Sequence, residues 1–170
     1  MGKSSLMSTI MNQIISIMPA KANQIRLAAF KASTPMLVWV SPQIVEVGEL
    51  STTIRIPLNF RTKNGFNSMF FAAIASGIDL TGGFYGFGLA EEANMGILYK
   101  DVNIHFKRRV DEDLTLITRN NPSVRKAIRE AEQTGERFSI PVSVEGYCLS
   151  YSDEKPVVSA TATLSLKKLS

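Results

Sequence analysis

Cysteine and histidine are nearly absent from this chain: Cys148 and His105 are the only examples of each. One cysteine excludes an internal disulfide framework, and one thiol with one imidazole cannot complete a zinc site built from those ligands. No metal site is therefore expected. The shortage of histidine also removes the commonest general base, so chemistry must rest mainly on carboxylates, hydroxyls, lysine or backbone dipoles. Long apolar stretches are missing as well, and none reaches the roughly 18 uninterrupted residues of a membrane span. Seven prolines and eleven glycines are too few for a collagen-like or disordered chain.

What remains is an ordinary globular composition, 45% apolar and 20% charged over 170 residues. A chain of this size buries about 70% of the surface its unfolded form exposes, enough for one sizeable core. The net charge of +4 comes from 19 Lys and Arg against 15 Asp and Glu. So small an excess gives no reason to expect a nucleic-acid partner. It is concentrated instead in one tight cluster, Lys107, Arg108 and Arg109, the arrangement a phosphate-bearing ligand would need.

The amino-terminal stretch has the pattern of an amphipathic helix, with Leu6, Ile10, Ile14 and Ile17 in one stripe flanked by Met7, Met11 and Met18. Ser8, Thr9, Asn12, Gln13 and Ser16 interrupt the apolar region a secretory signal requires. A cytoplasmic location is expected. A second helix carrying Ile25, Leu27, Ala28 and Phe30 should run to about Ser33, ahead of Pro35. These helices form an expected extension over residues 1–34, followed by one domain over 35–170.

Beyond Pro35 the period changes. A strand is expected near Ile44 to Leu50, and Ile54, Ile56, Leu58 and Phe60 then alternate with polar or turn-forming residues. After the turn signal Asn64-Gly65, the segment from Phe66 to about Thr81 is apolar on nearly every side, the mark of a buried helix. The run Gly82-Gly83-Phe84-Tyr85-Gly86-Phe87-Gly88 should end it, and its spacing is not that of a dinucleotide-binding loop. A strand over about 97–107 should follow, with Leu98, Lys100, Val102, Ile104 and Phe106 on its inner face. Another begins at Leu114. Asn121-Pro122 opens a short amphipathic helix that Gly135 closes, and two long strands around Phe138–Val144 and Val158–Leu166 finish the chain. The expected class is α+β, a curved antiparallel sheet wrapped around a central apolar helix, because such a sheet can bury a helix without a polar face.

Two segments carry a family likeness. Asn64-Gly65-Phe66-Asn67-Ser68-Met69-Phe70-Phe71-Ala72-Ala73, with Asp79 six residues on, resembles the loop and central helix of the hotdog thioesterase superfamily. The strand Lys100 to Arg108 resembles the superfamily strand whose alternating apolar stretch ends in a basic residue. The chain is most similar to a branch near the phenylacetyl-CoA type of acyl-CoA thioesterase, over roughly residues 25 to 168. This resemblance implies a hotdog fold that hydrolyses an acyl thioester, of CoA or of an acyl-carrier protein, with no cofactor beyond the CoA or phosphopantetheine of the substrate.

The resemblance also implies roles. Asp79, the only acidic residue between Glu49 and Glu91, falls where the family's helix carboxylate belongs, and Asn64 and Ser68 stand near the reacting carbonyl. The backbone amides of Met69, Phe70 and Phe71 would polarise that carbonyl at the helix start. Asn67 would contact substrate, Lys107, Arg108 and Arg109 would hold its phosphates, and Lys100 would bind substrate or pair with Asp79. The family's groove lies between two copies of the fold, so a homodimer or homotetramer is expected. The sequence departs from the pattern at Met69, where many relatives carry His, and at Phe71 and Ala72, which replace small glycines. Those departures leave a second class open, a hotdog that binds an acyl or other apolar ligand without hydrolysing it.

Overall fold

The computed structural model describes residues 13, 17, 18, 21–151 and 155–169. Most of the expected first helix, including Leu6, Ile10 and Ile14, and the Asp153-Glu154 part of the last turn lie outside these residues. The chain divides into two units, Met1–Trp39 and Val40–Ser170. In the first, helix α1 (Ala22–Ser33) stops where expected, its carbonyl at Phe30 accepting the Thr34 amide at 2.8 Å. Pro35 then opens a further short helix, α2 (Pro35–Val40), which hydrophobic periodicity alone did not indicate. Proline suits a first helical position, where its missing N–H costs nothing.

The second unit runs β1 (Gln43–Val47), β2 (Thr52–Ile56), α3 (Phe71–Glu92), β3 (Met95–Phe106), β4 (Leu114–Thr118), α4 (Asn121–Thr134), β5 (Phe138–Tyr147) and β6 (Val158–Lys168). All six strands form one sheet in the order β1-β2-β4-β5-β6-β3, each neighbouring pair antiparallel. Helix α3 packs on β2, β4, β5 and the far edge strand β3. A sheet whose edge strand β3 and whose strand β2, next to the other edge, both touch one helix must curl around it. Alternation supplies the apolar lining: Ile54, Ile56, Leu114, Leu116, Val142, Val144, Val158, Ala160, Leu164 and Leu166 are all buried.

The glycine run does not end the central helix. It lies within α3, which continues through Gly82–Gly88 to Glu92, and no glycine in it has a positive φ. Packing outweighs the low helix propensity of glycine here, because the missing Cβ lets the helix approach its neighbours. At Gly77 a Cβ would lie 2.5 Å from Cδ1 of Leu116 and 2.7 Å from Cγ1 of Ile56. Beyond Gly88, Ala90 joins a cluster with Met95, Ile97, Val124, Ile128, Leu164 and Leu166, so α4 covers this end of the helix. The start of α4 is fastened to the β1–β2 turn: the buried Asn121 carboxamide donates to the Gly48 carbonyl at 2.8 Å and to Thr52 Oγ1 at 3.0 Å. Gly135 ends α4 in the left-handed conformation, as its position after the helix predicted.

Strand β3 corrects one reading of the sequence. Its register with β6 breaks between Tyr99 and Asp101, so Lys100 is the extra residue of a bulge. Before the break Ile97 and Tyr99 lie opposite Leu166 and Leu164; after it Val102, Ile104 and Phe106 lie opposite Ala162, Ala160 and Val158. Both sets therefore face the helix. Strict alternation put Leu98 and Lys100 on that face, whereas Leu98 pairs with Ser165 and is exposed. Among the described residues no helix is long and apolar enough to cross a membrane.

The glycine contact is open to direct measurement. Gly77→Ala should destabilise the fold by about 1–2 kcal/mol in urea titrations, overpacking outweighing the gain in helix propensity. Gly65→Ala, where an added Cβ meets nothing within 4 Å, should stay within about 0.5 kcal/mol of the native chain.

Candidate active site

The helix start is set by the loop before it. Thr62, fully buried, donates its hydroxyl to the Pro57 carbonyl at 2.7 Å and accepts the Asn59 amide at 2.9 Å. Asn64 Oδ1 accepts the amides of Phe66 at 2.9 Å and Ser68 at 3.2 Å, and the Asn64 carboxamide also bonds the Ser68 hydroxyl. Asn64 and Ser68 thus brace this turn, and neither bonds Asp79. Asn67 adopts a left-handed φ of 56° that Asn tolerates better than most residues, and its side chain accepts from Lys63 Nζ at 3.4 Å. The Arg109 guanidinium donates to the Phe66 carbonyl, tying the loop to the segment after β3.

Of the three backbone amides expected to polarise a carbonyl, two are engaged. Met69 donates to Val110 at 2.6 Å and Phe70 to Thr62 at 2.7 Å, continuing the loop's own bonding. This corrects the expected donor set. Among the described residues the amides of Phe71 and Ala72 have no partner, and Ala73 and Ile74 already donate to Phe70. The open donors of α3, where the helix dipole is positive, are therefore Phe71 and Ala72. Met69 is buried, while Phe70 and Phe71 are about half exposed. The Phe71 ring stands edge-on to Phe106 with centroids 6.0 Å apart, so strand β3 and the helix start make one apolar corner.

Two turns along, Asp79 lies exposed on the helix. Its carboxylate has no ion-pair or hydrogen-bond partner among the described residues. Crowding by protein still removes enough water to hold its pKa above the ordinary carboxylate value. Behind it, the Tyr99 hydroxyl donates to the Asp79 main-chain carbonyl at 2.8 Å. Burial first, and then the Asp79 charge, push the Tyr99 phenol far above its usual pKa, so it stays a neutral donor. Tyr99 was not anticipated, because unbroken alternation through β3 turned it outward.

Lys100 does not meet Asp79. The bulge sends it to the outer face of the sheet, where its ammonium donates to Ser139 Oγ at 2.6 Å. The basic cluster is exposed, but its members differ: the Arg108 guanidinium lies 5.2 Å from the Tyr151 ring centroid, and Arg109 holds the loop. Lys107 and Arg108 are anchored through their amides to the Val157 carbonyl. A groove of about 490 Å³ lies elsewhere, lined by Leu89, Glu92, Ala93 and Arg125 among others, at the opposite end of α3 from Phe71. Arg125 there bonds Tyr85 at 2.6 Å and Glu49 at 3.2 Å, so its charge is already matched. Cys148 is buried, and desolvation with nearby Glu112 and Asp111 pushes its thiol up to about 12, as suits a packing residue.

A six-stranded antiparallel sheet curled around one long apolar helix is the hotdog fold. The chain belongs to the family described as domain of unknown function DUF4442, whose model matches residues 22–166. Solved structures agree on the fold. A protein of unknown function from Chlorobaculum tepidum superposes with a TM-score of 0.75 at 14% identity, covering 89% of this chain and 97% of its own. A candidate thioesterase from Shewanella oneidensis gives 0.66 at 18% identity, with 85% and 96% covered. A thioesterase family protein from Silicibacter pomeroyi gives 0.65 at 14%, with 86% and 99% covered. A search of curated protein sequences found no match.

The raised pKa of Asp79 has a stability consequence of definite sign. The folded chain holds this proton more tightly than the unfolded chain, so ionisation at neutral pH costs stability. Asp79→Asn should raise the melting temperature at pH 7. The gain should vanish near pH 3, below the unfolded carboxylate pKa of about 3.9, where both states of the native chain are protonated. Thermal melts at the two pH values measure the difference.

Proposed function

We propose that this protein is a thioesterase hydrolysing an acyl-CoA or the acyl thioester of a carrier protein. The observation that carries the reading is that α3 presents both open amides, at Phe71 and Ala72, and a carboxylate, at Asp79, that has no partner among the described residues. Amides at a helix start stabilise the charge that develops on a thioester oxygen, and a carboxylate of raised pKa is a better base toward water. The thioesterase naming of the Shewanella and Silicibacter neighbours supports the same chemistry. Asp79 activates water or attacks the carbonyl directly. Lys107 and Arg108, exposed at the end of β3, suit the phosphates of CoA or phosphopantetheine, and the Phe71–Phe106 corner suits an apolar acyl chain.

Helix geometry supports a shared site. Eight residues separate Phe71 from Asp79, about 12 Å along the axis. A base and an oxyanion donor must both come within about 3 Å of one reacting group. The two sets in one chain are too far apart to serve a single thioester, so the carboxylate of one subunit works with the helix-start amides of its partner. The edge strand β3, with Val102 and Phe106 about half exposed on its helix-facing side, gives a second copy a surface to pair with.

Assay against a panel of acyl-CoAs tests the chemistry. Asp79→Asn should lower kcat/KM by about 100-fold or more, and the acid limb of the native profile should fall at a pH above that of an ordinary carboxylate. Binding of acyl-CoA without turnover by the native chain would instead identify a ligand-binding hotdog, consistent with Met69 and Phe71 at the family's His and Gly positions.

Sedimentation should show at least a dimer at micromolar concentration. Mixing tests the shared site: Phe71→Pro deletes one amide at a position that accepts proline after the extended Phe70. Co-refolded with Asp79→Asn, it should restore roughly a quarter of native activity, since half the dimers are mixed and each regains one of two sites. No recovery above the separate variants would place carboxylate and amides in the same subunit.

A further inference from the structure

We propose that Tyr99 is a positioning residue for Asp79, and that Gly82 is the notch in the helix that admits it. This deepens the reading of Asp79 as the working carboxylate and rests on it. Three independent features converge on the contact. The bulge at Lys100 keeps Tyr99 in phase with Ile97 on the helix-facing side while returning Val102, Ile104 and Phe106 to that side. The Tyr99 hydroxyl then donates to the Asp79 main-chain carbonyl at 2.8 Å. One turn on, a Cβ at residue 82 would lie 2.6 Å from that hydroxyl, so no side chain larger than hydrogen fits without displacing it.

The consequence for Asp79 follows from what else touches it. Its carboxylate has no cation and no hydrogen-bond donor among the described residues, and Tyr99 is the titratable group that faces it from the packed strand. Lys100, the nearest cation along β3, bonds Ser139 on the outer face. The carboxylate is thus oriented through its own main chain, and the main-chain atom that is gripped from outside the helix is the carbonyl of the same residue. Tyr99 stays neutral because burial and the adjacent negative charge both oppose its ionisation. Its grip therefore does not switch off in the pH range where a carboxylate works.

Carboxyl carbon NMR of the full chain, with the Asp79 signal assigned by its loss in Asp79→Asn, tests this directly. In Tyr99→Phe the ring still fills its site but the grip is lost, and the loosened turn lets more water reach the carboxylate. The Asp79 pKa should fall toward the ordinary value, and kcat should drop roughly fivefold to tenfold with KM unchanged. Gly82→Ala should lower the Asp79 pKa in the same way by expelling the hydroxyl. The double variant should be no worse than Gly82→Ala alone, because the displaced atom is gone. An Asp79 titration identical in native and Tyr99→Phe chains would overturn the proposal, as would independent, additive effects of the two substitutions. If the native chain hydrolyses no thioester but the titration moves as described, the thioesterase reading fails and the positioning of Asp79 by Tyr99 stands.

Discussion

The close approach of α3 to the sheet is the constraint on which the rest of the second unit depends. A helix without a polar face has to be surrounded, and a twisted antiparallel sheet surrounds a helix only by curling tightly around it. Glycine at position 77 lets β2 and β4 reach the helix backbone through Ile56 and Leu116. The same closeness at the other end is filled by α4, whose Val124 and Ile128 cover what the strands leave uncovered. One stripe of α3 escapes this enclosure. Phe71 and Asp79 lie on it, and a surface left open by so complete an enclosure is where a ligand or a second copy has access.

Much of this was legible in the sequence because burial imposes a period. Strands β2, β4, β5 and β6 follow from alternation, α4 follows from its proline start and glycine stop, and the buried central helix follows from its lack of charge. The glycine run was misread because glycine has two opposite uses. It ends helices by adopting positive φ, and it lets helices pack closely by lacking a side chain; local sequence does not separate the two, and here the second applies. The short helix at Pro35 was missed because six residues are too few to display a period.

The site was legible in part, and the errors have one origin. Asp79 stood out because a carboxylate in an apolar helix is unusual whatever the fold. Lys100 and Tyr99 were exchanged because a single alternation was drawn through β3. The strand carries two, Met95-Ile97-Tyr99 and Val102-Ile104-Phe106, of opposite phase. Two successive apolar series that change from odd to even positions are themselves the signature of a bulge, and they carry Tyr99 to the helix side. The amides were misassigned for a different reason. Which N–H groups are open depends on tertiary bonds from Met69 and Phe70 to Val110 and Thr62, which no local pattern records.

Cys148 is buried in the folded chain. A lone thiol that is buried, and whose ionisation is pushed up to about 12, neither exchanges with disulfides nor reacts with alkylating agents at ordinary rates while the chain stays folded. Slow reaction of the native protein with thiol reagents is the expected consequence. A cysteine introduced anywhere on its surface would be the single reactive handle on the molecule, so a spectroscopic probe could be attached beside Phe71 or Phe106 without first removing the native sulfur.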